Sequence, residues 1–182
     1  MNKPYIINLA LTMSVISIVL FLLMAILGGG MFLSMGIGLA AIVLLIVVPI
    51  IFLRKQRAAA NGFLSFKDAF ITVFVGLTIA GIINVAFTML YVNVIDTTYV
   101  DNMINQQLET TMKFMEGNVP EDKMVETLTE IETKTRYGFT TLGILRNLGI
   151  YIAVYALLAL ILAAIFKKQP EIVNTSEDII DN

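Results

Sequence analysis

Four long stretches of this chain carry almost no charge, at 5–27, 31–53, 69–95 and 139–166. A run of roughly 20 apolar residues has one stable environment, the ~30 Å hydrocarbon layer of a bilayer, and each run is long enough to cross it as a helix rising ~1.5 Å per residue. A helix also satisfies its own backbone hydrogen bonds, which lipid cannot do. The expected fold is therefore all-α, a four-helix transmembrane bundle forming a single membrane domain over 1–182. Arg146 and Asn147 interrupt the fourth run, leaving 148–166 as its unbroken part.

Composition narrows the chemistry. The 182 residues are 58% hydrophobic and 14% charged, with no His and no Cys. Soluble domains are nearer half apolar and about a quarter charged. Without His or Cys there is no Ser-His or Cys-His nucleophile, no thiolate or imidazole zinc site, no haem axial His, no iron–sulfur cluster, no disulfide and no lipidated cysteine. No cofactor or metal is expected. The methionines at 103, 112, 115 and 124 resemble soft copper ligands. Their helical spacing without supporting His or Cys instead reads as adaptable apolar packing.

Orientation follows the placement of Lys and Arg in short loops. Lys3, Arg54, Lys55, Arg57, Lys67, Lys167 and Lys168 all fall on one side of a four-span chain. That side is expected to be cytoplasmic, with both termini inside and 167–182 as a disordered tail. Gly28-Gly29-Gly30 is short enough to force an antiparallel turn between the first two spans. A cleaved signal peptide has an apolar core of about 7–15 residues, whereas this first run has 23. The expectation is that it stays as a span.

The basic loop carries legible punctuation. Asn61-Gly62 marks a turn, and Ser65 with Asp68 three positions on fits a capping box, so the third helix starts at Phe66. Phe63, Leu64, Phe66 and Phe70 belong at the headgroup boundary. The loop reads either as an anionic-lipid or partner contact, or as the positive-inside signal with an interfacial anchor. On the other side, 96–137 holds nine acidic and four basic residues. Val100, Ile104, Leu108, Met112 and Met115 recur at helical spacing, Gly117-Asn118 stops the helix, Pro120 opens another, and Met124, Leu128 and Ile131 form its apolar stripe. This segment is expected to be an extracytoplasmic amphipathic helical hairpin.

Ionisable groups inside a bilayer are functional hypotheses by default, and Arg146 is the one this chain offers. It lies 20 residues before Phe166, ~30 Å from the inner boundary and so at the outer edge of the hydrocarbon. Arg146, Gly149, Ala153 and Ala156 share a face, and small residues mark helix seams. Thr72, Gly76, Ala80, Asn84 and Thr88 form an i+4 row on the third span, with Thr88 at the depth of Arg146 and Tyr91 just above. The expectation is that spans three and four pack through these rows, with Arg146 donating to Thr88, Asn84, Tyr91 or backbone carbonyls. Arg146 would then act as a structural clamp or as part of an anion or headgroup pocket, with Asn147 beside it. Pro49 is placed to kink span two. No acidic residue lies within a span, which argues against proton- or sodium-coupled transport.

The stretch from Asn61 to Phe70, the pair Ile95-Asp96 that ends span three, the acidic segment after it and Ile165-Phe166-Lys167-Lys168 closing span four together resemble a family of small integral membrane proteins from Bacteroidota, the domain of unknown function 4199. The resemblance implies four helices and a bacterial inner-membrane location. It supplies no activity and no catalytic residue. Ser65, Phe66 and Asp96 are the family-typical positions, and capping and placing helices at the two interfaces is the work they suit.

Two functions follow as expectations. The first is a non-enzymatic interaction or accessory module, working with the bilayer and with a membrane-protein partner or another copy of itself. The second is a small transporter or channel acting as a homo-oligomer, the Thr72 to Thr88 row lining its path. An enzyme is not expected, since no acidic group is placed in a membrane cavity for acid–base work, and nucleic acid is not an expected partner.

Overall fold

The four apolar runs are helices in the computed structural model, which describes residues 3–27 and 31–168. The glycine turn at 28–30 and the tail from 169 onward lie outside the described residues. The elements in order are α1 (Lys3–Leu27), α2 (Met31–Ala59), α3 (Phe66–Leu90), α4 (Tyr99–Met115), α5 (Glu121–Gly138) and α6 (Thr141–Phe166). Helices α1, α2, α3 and α6 are long and apolar enough to cross a membrane. Large side chains such as Val15, Ile42, Ile82 and Leu157 are exposed along them, as suits helices whose outer faces meet lipid.

Helix α3 is the central element. It packs along α1 on one side and α6 on the other, while α2 lies mainly against α1 and touches α3 and α6 sparingly. Close approach depends on glycine at two points. A Cβ on Gly76 would sit 2.9 Å from Cδ2 of Leu9 in α1, and one on Gly81 would sit 3.2 Å from the Tyr155 ring in α6. Dispersion between interdigitating surfaces, rather than escape from water, holds helices together in lipid, so these contacts set the pairing.

The tightly packed core is confined to one end. Leu9, Leu53, Val73, Leu77, Ala159, Leu162 and Ala163 are buried there. They come from the first half of α1 and α3 and the second half of α2 and α6. This closed end is also the end of the basic loop. Helix α2 runs six residues past the expected boundary and stops where Asn61 (φ 54°) and Gly62 (φ 86°) turn left-handed, with Gly62 N–H donating to the Arg57 carbonyl at 2.9 Å. That is the Schellman pattern of a helix C-terminus. Arg57 Nε returns a bond to the Gly62 carbonyl at 2.9 Å. Ser65 then caps α3 as expected: its Oγ accepts from Asp68 N–H at 3.0 Å and donates to the Asp68 carboxylate at 2.7 Å. Leu64 and Lys168 exchange backbone hydrogen bonds of 2.9 and 2.8 Å, tying the loop to the residues just after α6.

Helices α4 and α5 pair with each other, as their stripes imply, with Ile104 buried and Leu128 and Ile131 half-buried. Arg136 bridges Asp101 at 2.9 Å, and Thr135 Oγ1 donates to Gln107 at 2.9 Å. Both Asp101 and Glu132 raise the Arg136 pKa, Asp101 foremost. Gly117 (φ 77°) makes the turn between the two helices.

Candidate functional site

Away from the closed end the helices part. A cavity of about 600 Å³ opens between α1, α2, α3 and α6, and α4 and α5 roof it. Met13, Leu45, Leu77 and Tyr155 lie at its lower end, next to the packed core; Tyr99, Met103, Thr135 and Phe139 line its upper part. From Leu77 to Thr88 it is ~16 Å tall at the rise of a helix. Asn147 and Tyr151 line it and are exposed, so it is open to the outside along α6. Ala41 and Leu45 of α2 line it too. Among the described residues the buried side chains of α2 are Val48, Pro49, Leu53 and Gln56, all in its second half, and α2 touches α6 only sparingly.

The lining is mostly apolar with a few neutral polar groups. Asn84, Thr88 and Asn147 face the cavity and make no hydrogen bond or ion pair among the described residues. Lys134, at the mouth and ion-paired with Glu130, is the one charged residue lining it among those described. Among the described residues no carboxylate lines it, and none of the lining side chains forms an acid–base pair there.

Aromatic rings hold the roof in place. Past Leu90, α3 widens into a π-helical turn, Tyr91–Ile95, closed by Asp96 N–H to the Tyr91 carbonyl at 2.8 Å. Tyr91 there meets Phe21 of α1 at 5.1 Å and Tyr99 of α4 at 5.5 Å between ring centroids. Tyr99 also meets Phe139 at 5.8 Å. Burial first, then the neighbouring Tyr91 and Asp96, push the Tyr99 phenol above its ordinary 10.0. Asp96 aims the chain into α4, its carboxylate accepting from Thr98 N–H at 3.0 Å and Thr98 Oγ1 at 2.7 Å. At the other side of the roof, Thr140 caps α6 by accepting from Gly143 N–H at 3.1 Å. Any Cβ at Gly143 would run into the Tyr137 carbonyl.

The expected residues divide. Asn84, Thr88 and Asn147 come together on the cavity, and Ser65, Asp68 and Asp96 sit at helix starts. Phe66 is exposed at the closed end and stacks on Phe70 at 6.4 Å. Three expectations are corrected. Arg146 is exposed and makes no hydrogen bond or ion pair among the described residues, and Gly149 and Ala153 on its face are exposed as well. Helix α6 meets its neighbours through Ile144, Leu148, Tyr155, Ala159 and Leu162. Arg146 is two residues from both Ile144 and Leu148, about 200° round the helix from each. The guanidinium thus keeps its solvation by pointing outward, which is cheaper than burial in a seam. Tyr91 likewise leaves the expected polar cluster for the aromatic one. Spans three and four do pack together, but Gly76 in the α3 row faces α1, and it is Gly81 that receives α6.

Comparison with family models finds a match over residues 8–168, described as a protein of unknown function, DUF4199. The chain belongs to this family. No curated protein and no solved structure matches it. The DUF4199 match takes in the four spans, the roof and the loop, and it ends at Lys168, the residue that closes the backbone bridge to Leu64. Sequence reasoning reached the cavity's asparagines but not the cavity. The signal for it was the spacing of polar residues on the outer part of α3 and α6, and nothing in the sequence showed that α2 would touch α6 so sparingly.

Proposed function

We propose that this DUF4199 protein is a non-enzymatic, multi-pass protein of the bacterial inner membrane that acts by holding an occupant in the cavity beneath α4 and α5. In this reading both termini are cytoplasmic, the closed end faces the cytoplasm, and α4 and α5 form an extracytoplasmic hairpin serving as a lid. The observation that carries it is the neutral lining. Asn84, Thr88 and Asn147 present hydrogen-bonding groups without partners, while no carboxylate lines the cavity among the described residues, as acid–base work or ion coupling would want. A channel or transporter is the competing class. Against it stands the core around Leu9, Leu53, Leu77 and Leu162, which is closely packed below the cavity and encloses Ser14, Gln56 and Thr72 as buried polar side chains.

Reconstitution in vesicles separates the two. The wild-type chain is expected to add no flux of sodium, potassium, protons or small polar solutes over protein-free vesicles. A flux that Asn84→Leu abolishes would replace holding with conduction.

A further inference from the structure

We propose that the occupant is a membrane phospholipid. One acyl chain enters the cavity between α2 and α6, and its ester carbonyl and glycerol oxygens meet Asn84, Thr88 and Asn147. This rests on the reading that the cavity holds rather than conducts.

Size, wall chemistry and access each select the guest. A volume of about 600 Å³ falls within the roughly 300–1,000 Å³ of small-molecule sites. An extended hydrocarbon chain is narrow enough to run up the cavity's ~16 Å height. The lower walls, with Met13, Leu45 and Leu77 beside Tyr155, are mainly apolar, and the one phenol hydroxyl falls short of the 2–4 polar partners a water needs. Higher up, the amides of Asn84 and Asn147 and the Thr88 hydroxyl lack partners, and polar groups in a low-dielectric setting need them. An ester carbonyl accepts from an amide N–H, and a glycerol oxygen accepts from a hydroxyl. The guest therefore has an apolar end below and neutral oxygens above, in the order found along a phospholipid.

The cavity also opens where lipid is. Helices α2 and α6 touch only sparingly, and Tyr151, which lines the cavity, is exposed. Inside a bilayer this opening meets acyl chains at the highest concentration of any ligand, so occupancy follows by mass action. Lys134 at the mouth is already paired with Glu130, so the site does not demand an anionic headgroup. Zwitterionic and anionic phospholipids should enter alike.

The test is lipid retention by the full-length chain purified in mild detergent, followed by extraction and mass spectrometry. The wild type should hold a stoichiometric phospholipid. Val85→Phe and Thr88→Phe, which fill the cavity, should retain about tenfold less, while Val154→Phe, exposed and away from the cavity, should retain as much as wild type. A second measurement needs no variant: a phospholipid nitroxide-labelled on its chain should give a motionally restricted spectrum with the wild-type chain and be displaced by unlabelled phospholipid. Wild type without bound phospholipid, equal retention by all variants, or a spectrum showing only freely exchanging lipid would each overturn the proposal. Recovery of a free fatty acid or an acylated peptide in its place would overturn the phospholipid assignment and keep the acyl site. Loss of the lipid proposal without vesicle flux leaves the holding reading standing; flux removes both.

Discussion

Gly143 is the residue on which the geometry of the roof most depends. It lies in the first turn of α6, where a side chain would collide with the Tyr137 backbone carbonyl, and a backbone obstacle cannot swing aside as a side-chain tip can. Gly143→Ala is expected to lower stability by about 1–3 kcal/mol, as overpacking does, read as a fall in melting temperature in detergent. Ser65→Ala removes the cap on α3 and should cost about 1 kcal/mol, with the same readout. Arg146→Ala should change stability by no more than about 0.5 kcal/mol, the ordinary range for an exposed site, and so leave the melting temperature close to that of wild type. A marked loss there would return the residue to the clamp role that the structure does not give it. These residues differ in how plainly the sequence announces them. Ser65 and Asp68 are legible because capping is local chemistry. The direction of Arg146 is not, because small residues lie on two faces of α6, and only the docking of Tyr155 against Gly81 chooses between them.

Among the elements, the difference in legibility has a physical cause. Water lies on one side of α4 and α5, so their apolar stripes stand out against charge and their pairing can be read from spacing. The spans meet lipid on one face and protein on the other, both apolar, and periodicity carries no sign of which is which. The π-helical turn after α3 and the sparse contact of α2 with α6 are consequences of packing that no local pattern encodes. The aromatic junction made by that turn carries its own pH dependence. Because the folded state binds the Tyr99 proton more tightly than the unfolded chain, its contribution is complete below pH 10.0 and is lost as pH rises through the elevated value. Wild type should therefore melt earlier at strongly alkaline pH than Tyr99→Phe, when each is compared with itself at pH 8. Equal losses would show that the phenol is not responsible.

For the molecule as a whole, packing density is graded from the closed end to the cavity. Amide hydrogen exchange should follow that gradient, slowest around Leu9, Val73 and Ala163 and fastest in α4 and α5, since local opening is easiest where buried contacts are few. Orientation is open to a direct measurement: in intact spheroplasts an impermeant maleimide should label cysteine placed at Asn118 and not at Ser65. Labelling at Ser65 alone would invert the proposed topology. The pairing of Leu64 with Lys168 also bears on how the chain is made. Roughly 100 residues separate the two partners, a long loop to close, and synthesis runs from the N-terminus. Leu64 leaves the ribosome long before its partner exists. The closed end is therefore completed only once the last span is in place, and a chain truncated or fused directly after Phe166 would be inserted in full yet left without its final fastening.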